Sequence, residues 1–187
     1  EALLRSAEAK NLLFTNAFVQ DAMKANGEML RVEVLEKWLG DYPGLERQRE
    51  PKRIGLVLAG NLPLVGWHDV LCVLLTGHHA IVKCSSEDQV LIPAAIAALD
   101  SFSDEDVASR VEFVTGTLND ADAVIATGSA NTNRYFEYYF RSLPKVLRSQ
   151  RTSVAVLSGS ESHEELQALG ADAVSYTHLR AHETPCH

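Results

Sequence analysis

The fold class is decided by one stretch, Ile54-Gly-Leu-Val-Leu-Ala59, together with the turn Gly60-Asn61-Leu62-Pro63 that follows it. The first run is short and almost wholly apolar, which is typical of a strand buried on both faces. Glycine permits a sharp turn of the backbone, and proline suits the first turn of a helix because its missing N–H has no partner there anyway. We therefore predict a strand that passes directly into a helix.

The same alternation continues along the chain. After the strand at 54–59, further strands are predicted at 80–83, 110–114, 123–126 and 153–157, with helices at 63–75, 89–102 and 129–141 between them. Alternating strands and helices indicate a parallel sheet with right-handed crossovers, the doubly wound α/β class. Such sheets bind ligands at the carboxyl ends of their strands, so residues 60–63, 83–87 and 127–129 are the candidate binding segments.

The segments that flank this unit differ from it. Residues 1–39 have apolar side chains at helical spacing, with Gly27 expected to interrupt the helices, and a charged stretch at 46–53 follows. The final segment 174–187 has no apolar periodicity and resembles the translation of a sequencing-library adapter, so we expect it to be non-native. The predicted organisation is a helical segment and linker at 1–50, an α/β domain at 51–173 and a tail at 174–187, in a truncated chain.

Composition excludes several classes of protein. The 187 residues are 46% hydrophobic and 22% charged, with a formal net charge of −8, which is typical of a globular protein and argues against binding to nucleic acid or to an anionic membrane. There is no apolar run long enough to cross a membrane, and no secretory signal is expected. The cysteines at 72, 84 and 186 have neither metal-ligand nor disulfide spacing, so we predict no metal and a cytoplasmic location.

Several polar residues have two interpretations. The side-chain amide of Asn61 could cap the following helix, or it could donate a hydrogen bond to charge that develops on a substrate. His68 and Asp69 could act as an acid/base pair, but neighbouring residues on a helix point in different directions. We expect His68 to be an interior residue and Asp69 to interact with the positive end of the helix. Lys83 beside Cys84 is a cation that could lower the pKa of the thiol.

Three blocks of sequence carry a family resemblance. They are the segment from Ile54 through Lys83-Cys-Ser-Ser86, the run Asp122-Ala-Val-Ile-Ala-Thr-Gly-Ser129 with the aromatic helix after it, and Arg151-Thr-Ser-Val-Ala-Val-Leu-Ser-Gly159. In this order they resemble the acyl-CoA reductase family that includes the fatty-acid reductase of bacterial luminescence systems, within the aldehyde dehydrogenase superfamily. The resemblance implies the nucleotide-binding part of an aldehyde dehydrogenase-type fold.

The resemblance also implies a role for individual residues. Asn61, in Asn-x-Pro, matches the superfamily's oxyanion-hole asparagine, and Lys83 matches the lysine that binds the adenosine ribose. Ser86 stands where many NAD-dependent relatives have a glutamate, so NADPH is the implied cofactor, with Lys83, Ser85 and Ser86 at its ribose. The turn Thr127-Gly128-Ser129 matches the turn beside the pyrophosphate and nicotinamide, where free backbone amides attract negative charge.

The implied reaction is NADPH-dependent reduction of a long-chain fatty acyl-CoA to a fatty aldehyde through a cysteine thioester. The nucleophilic cysteine is expected to be absent from this chain, since Ser175-Tyr176 leads into the anomalous tail and Cys186 belongs to that tail. The alternatives are a dinucleotide-binding fragment without turnover and a related enzyme for another acyl substrate. A homo-oligomer is left open.

Two clusters leave further alternatives. The aromatic residues of 135–140 could form a partner surface, although we expect them to be core. The basic residues Arg141, Lys145, Arg148 and Arg151 could contact the phosphates of coenzyme A, although a solvated basic face is the expected interpretation.

Overall fold

The structure, a computed structural model, describes residues 1–45, 50–149 and 154–175, and at 174 and 175 it describes the backbone alone. The chain divides into two compact units, Glu1–Gln150 and Arg151–His187. The helices are α1 (Ala2–Lys10), α2 (Asn16–Met29), α3 (Val32–Gly40), α4 (Trp67–Leu75), α5 (Leu91–Phe102), α6 (Ala130–Tyr139) and α7 (His163–Ser175). The strands are β1 (Arg53–Val57), β2 (His79–Lys83), β3 (Val111–Phe113), β4 (Ala123–Thr127) and β5 (Lys145–Arg148).

The five strands of the first unit form one parallel sheet in the order β3-β2-β1-β4-β5. The chain builds β1, β2 and β3 outward in one direction and then returns to place β4 on the other side of β1. This order is the doubly wound arrangement, with its topological switch point between β1 and β4. The predicted fold class is therefore confirmed.

Alternate residues of β1 face two different layers. Leu56 is fully buried in a core cluster with residues of α4 and α5, to which Ala7, Phe14 and Val19 of the N-terminal segment also belong. Gly55 faces the opposite layer, where a Cβ atom would lie 3.0 Å from Leu118 and 3.3 Å from Ala121. The segment between β3 and β4 thus crosses this second face without a helix of its own.

Two predicted elements are wrong. Gly27 lies inside α2, because open space surrounds it and a single exposed helical glycine costs only about 1 kcal/mol. The fifth strand is Lys145–Arg148, whereas residues 154–157 are not a strand and Val154 and Val156 are exposed. Strand β5 was not predicted because its four residues, two apolar side chains between two cations, do not form an apolar run.

Two other predictions needed adjustment. Helix α4 begins at Trp67 rather than at residue 63. Burial on both faces holds for the central strands but fails at β3, where Glu112 and Phe113 are exposed, because β3 is an edge strand. In the described ranges, no helix combines the length and the apolar character that crossing a bilayer requires.

The second unit contains α7, which starts with a capping box. The Ser162 hydroxyl accepts a hydrogen bond from the Glu165 amide at 3.2 Å, and the Glu165 carboxylate accepts one from the Ser162 amide at 2.8 Å. This reciprocal pair satisfies two amides that the helix itself leaves without partners. The predicted tail begins at residue 174 inside α7, and its residues 176–187 lie outside the described part of the chain.

Candidate functional site

Three of the predicted binding segments meet at one edge of the sheet. Strands β1, β2 and β4 end at Val57, Lys83 and Thr127, and β1 lies between the other two. Because all strands are parallel, their carboxyl ends share that edge. The structure therefore brings together the turns that carry Asn61, Ser85–Ser86 and Gly128.

Lys83 lies between two pockets at this edge. Its half-buried side chain donates a hydrogen bond from Nζ to the Gly116 carbonyl at 2.8 Å. The serine pocket, about 540 Å³, is lined by Lys83, Ser85 and Ser86 among others. The aromatic pocket, about 490 Å³, is lined by Lys83 and by Phe136, Tyr139 and Phe140 among others. Each has the volume of a small-molecule site, and Lys83 offers a cation to both.

Asn61 does not cap the helix that follows it. Residues 61–66 form turns, and the N-cap of α4 is Gly66, with no side-chain hydrogen bond. The capping interpretation is therefore wrong. Asn61 is exposed, and within the described ranges its side-chain amide has no hydrogen-bond partner. It lines neither of the two pockets. An amide left unpaired is available as a donor to a ligand.

The turn after β1 and the turn after β2 are in close contact. A Cβ atom on Gly60 would lie 2.5 Å from the Cβ of Ser85, closer than two such atoms can approach, so only glycine fits here. The Leu58 amide donates to the Lys83 carbonyl at 3.0 Å. Leu64 has φ of +58°, a left-handed conformation that costs a bulky residue about 1–2 kcal/mol. The surrounding contacts must hold the turn of Asn61 in this conformation.

One of those contacts comes from Asp88, which the sequence analysis missed. Its side chain is buried and accepts hydrogen bonds from the Leu91 amide at 3.0 Å and the Leu64 amide at 3.4 Å. Burial raises the pKa of the Asp88 carboxyl, and these backbone donors oppose the rise. An acidic residue three positions before Leu91 was the one available sequence signal, and it indicates a helix start without revealing the contact with Leu64.

The turn after β4 begins α6 as predicted. Ser129 is the N-cap, and its hydroxyl accepts a hydrogen bond from the Thr132 amide at 3.2 Å. The Gly128 amide donates to the Arg148 carbonyl of β5 at 3.0 Å. The expectation of free amides therefore fails at Gly128. Because the Thr132 amide is bonded to Ser129, the amides of Ala130 and Asn131 are the ones in the first turn of α6 that a helix leaves for an anion.

Comparison with protein families gives a match over residues 6–176 to the family described as acyl-CoA reductase (LuxC). The chain belongs to this acyl-CoA reductase family. The resemblance of the sequence to the acyl-CoA reductase family is thus confirmed, and the family's activity is the reduction of acyl groups. Comparison with curated proteins and with solved structures gave no match.

An acyl-CoA reductase that forms a thioester on the enzyme needs a cysteine whose thiol has a lowered pKa. Neither of the cysteines in the described part of the chain meets this requirement. Cys84 lines the serine pocket, and burial, with a smaller effect of Asp88, raises its pKa to about 11. The expectation that Lys83 lowers this pKa is therefore wrong. Burial also raises the pKa of Cys72. Cys186 lies outside the described residues, and the described residues contain no cluster of three metal-binding side chains.

In the His68–Asp69 pair, His68 differs from the sequence expectation, whereas Asp69 lies in the first turn of α4, at its positive end, as expected. His68 is half-exposed, not interior, and its ring lies 5.4 Å from that of Trp38. Asp69 is buried and forms an ion pair with Arg148, a residue 79 positions away in β5. The His68 ring and the Asp69 carboxylate are 3.9 Å apart. Asp69 is thus a structural partner of Arg148.

The ion pair between Asp69 and Arg148 also bears on the predicted basic face, to which Arg148 was assigned. Arg148 and Lys145 are the two ends of β5, and the charge of Arg148 is balanced by Asp69. The guanidinium of Arg141 lies 5.0 Å from the centre of the Tyr138 ring, and Arg151 lies outside the described residues. The expected solvated basic face is wrong for Arg148.

The aromatic side chains of 135–140 were expected to be buried in the core, and for the three tyrosines this expectation is wrong. Tyr135, Tyr138 and Tyr139 are 58%, 65% and 70% exposed. Phe136 and Phe140 are half-buried, with their ring centres 6.0 Å apart. Phe136 and Phe140 line the aromatic pocket together with Tyr139, whereas Tyr135 and Tyr138 lie outside it.

Proposed function

We propose that this chain is the cofactor-binding part of an NADPH-dependent reductase of the aldehyde dehydrogenase superfamily. The parent enzyme would reduce a long-chain fatty acyl-CoA to a fatty aldehyde through a cysteine thioester. One observation carries the proposal: the contact between Gly60 and Ser85 places the turn of the exposed Asn61 against the turn that carries Lys83, Ser85 and Ser86. A donor for an oxyanion and donors for a nucleotide therefore lie side by side.

The donor chemistry fits a phosphorylated ribose. Lys83 supplies an ammonium group, and Ser85 and Ser86 supply hydroxyl groups in the same pocket. Ser86 is exposed and neutral, so it does not repel a 2′-phosphate as a carboxylate would. The first turn of α6, opened by Thr127-Gly128-Ser129, offers helix amides to the pyrophosphate. When bound, NADPH supplies the hydride for the reduction.

Asn61 is assigned to the oxyanion. When a cysteine thiolate attacks the thioester carbon, negative charge develops on the carbonyl oxygen, and the Asn61 amide is positioned by its turn to donate to it. The raised pKa values of Cys72 and Cys84 argue that the attacking thiolate is neither of them. The chain's own contribution is thus to hold the donor amide and the cofactor donors in place.

The cofactor assignment is tested by binding. We expect this chain to bind NADPH at least tenfold more tightly than NADH, and Ser86→Glu to abolish or reverse that preference, a change of about 1.4 kcal/mol or more. Ser101→Glu, which adds the same charge near the end of α5, is the control and should leave the ratio unchanged. Isothermal titration calorimetry with NADPH and with NADH measures the ratio of the two affinities. A preference for NADH in the unchanged chain would refute the assignment of the Ser86 position to a 2′-phosphate.

The oxyanion assignment is tested in a form of the protein that oxidises NADPH when acyl-CoA is added. In that form, Asn61→Ala should lower kcat by roughly 10²–10³ with little change in NADPH affinity, because an oxyanion donor acts mainly in the transition state. Asn16→Ala, at the exposed start of α2, is the matched control. Unchanged kcat with a small loss of thermal stability would refute the catalytic role.

A second candidate is a dinucleotide-binding unit without turnover, which the raised pKa values of Cys72 and Cys84 favour for this chain. It predicts NADPH binding without acyl-CoA-dependent NADPH oxidation. An enzyme for another acyl substrate remains a further alternative, since nothing in residues 83–88 depends on acyl length. Comparing kcat/KM for short and long acyl-CoA thioesters would separate these substrates.

A further inference from the structure

We propose that Asp88 is a positioning residue that links the cofactor site to the oxyanion donor, by joining the turn of Ser85 and Ser86 to the turn that presents Asn61. This inference rests on the proposed function for the roles of those two turns. The linkage itself rests on hydrogen bonds, burial and close packing in the first unit of the chain.

Asp88 is bonded to the turn of Ser85 through its own amide, which donates to the Ser85 carbonyl at 3.2 Å, and its two carboxylate oxygens accept from two other segments. Oδ1 accepts from the Leu91 amide at 3.0 Å, at the start of α5, and Oδ2 accepts from the Leu64 amide at 3.4 Å, 24 residues earlier in the chain. Asp88 as a whole is 3% exposed, so water does not compete for either amide. An isolated buried carboxylate is costly unless such donors satisfy it, which makes the geometry of both donors mutually dependent.

Packing strengthens the same link. The α-carbon of Gly60 touches the side chain of Ser85 so closely that a Cβ atom would stand 2.7 Å from its hydroxyl oxygen and 3.1 Å from the Asp88 amide. On the other side of this turn, the Asn11 amide reaches the Gly60 carbonyl at 3.5 Å. Both ends of the turn of Asn61 are therefore fixed. Gly60 packs against Ser85 before it, and Leu64 is hydrogen-bonded to Asp88 after it.

The consequence is a coupling between two binding events. A ligand that orders Ser85 and Ser86 would also restrict Gly60 and, through Asp88, Leu64. The conformational freedom of the turn of Asn61 would then be lost when the cofactor binds rather than when the acyl group arrives. Ordering that has already occurred does not have to be repeated in the second event, so each ligand should favour the other.

The link is tested first without ligand, by amide hydrogen exchange of the whole chain. In Asp88→Asn, one oxygen is replaced by an NH₂ group, which cannot accept a hydrogen bond. The remaining oxygen should keep the shorter bond, to the Leu91 amide, so the Leu64 amide loses its acceptor. We expect exchange of a peptide covering 60–66 to rise at least tenfold. Asp100→Asn is the matched control, because Asp100 of α5 also accepts a distant amide, that of Ala108, at 2.9 Å. Unchanged exchange in Asp88→Asn would overturn the proposal.

The coupling is tested next with NADPH. In the unchanged chain, saturating NADPH should slow exchange both at 83–90 and at 60–66, whereas in Asp88→Asn it should slow exchange at 83–90 alone. Binding without protection of 60–66 in the unchanged chain would overturn the coupling while leaving the cofactor assignment intact. An unchanged chain that binds no NADPH would overturn the proposed function, and the coupling with it.

A second variant avoids dependence on Asp88. Gly60→Ala forces Ser85 to move, because the added Cβ would overlap its side chain. We expect the affinity for NADPH to fall about tenfold, although residue 60 is not assigned to the cofactor. Gly27→Ala, at an open position of α2, is the control and should not change the affinity. An affinity for NADPH unchanged within twofold in Gly60→Ala would show that the two turns are not rigidly joined, and would overturn the proposal.

Discussion

The ion pair between Asp69 and Arg148 makes a sharp prediction about stability, because its two members are buried unequally. The Asp69 side chain is 5% exposed, while that of Arg148 is 36% exposed. Arg148→Met would leave a carboxylate in the core without its cation, and removing one partner of a buried pair costs about 3–5 kcal/mol. Since Arg148 is partly solvated, we place the loss at about 3 kcal/mol.

Removing the other partner, in Asp69→Asn, should lower the free energy of unfolding by less. In Asp69→Asn the charge that remains, on Arg148, can turn towards water, so the loss should be near that of a hydrogen bond, about 1–2 kcal/mol. In the double variant no unpaired buried charge is left. Its loss should therefore be smaller than the sum of the two single losses, by about 1–2 kcal/mol.

Urea unfolding of the whole chain at pH 7 measures these differences from the shift in midpoint at constant slope. The control is Arg53→Met, which breaks the exposed pair of Arg53 with Glu112 at 2.8 Å and should cost less than about 1 kcal/mol. The reasoning would be refuted if Arg148→Met cost no more than Asp69→Asn, or no more than Arg53→Met.

Two further predictions concern titration. Because the pKa of Cys84 is raised to about 11, roughly one thiol in a thousand is ionised at pH 8, so its alkylation by iodoacetamide should be at least a hundredfold slower in the native chain than in urea, as mass spectrometry can follow. Hydrogen bonds from Ser158 and Gly159 lower the pKa of Glu161 to about 2, so these contacts should be complete above pH 4.5 and be lost as the pH falls towards 2. Carboxyl NMR shifts would report this, and an ordinary midpoint near 4.5 would contradict it.

The fold class could be predicted because its determinants are local. The apolar runs of β1, β2 and β4 and the helical segments between them are legible in short windows of sequence, and their alternation implies the parallel sheet and its binding edge. The same locality explains the failure at β5. Two apolar residues between cations have no periodicity, and only pairing with β4 makes Lys145–Arg148 a strand.

The candidate site, too, could be predicted from the sequence only where a local pattern marks its residues. The turns of Asn61, Lys83 and Gly128 were found from the sequence, since each is a strand end with its own residue pattern, and the family resemblance supplied their expected roles. The roles of Ser86 in cofactor choice and of Asn61 at an oxyanion stay predictions, as do the domain boundaries at 50 and 173.

What the sequence by itself determined is thus the alternation of strands and helices, the candidate binding edge of the sheet and the family. Only the tertiary structure decided which charges are paired and which turns are joined. Asp69 meets Arg148 across 79 positions and Asp88 meets Leu64 across 24, and no local pattern encodes either partner. The physical reason is that the burial of a polar group, and therefore its demand for a partner, depends on how distant segments pack together.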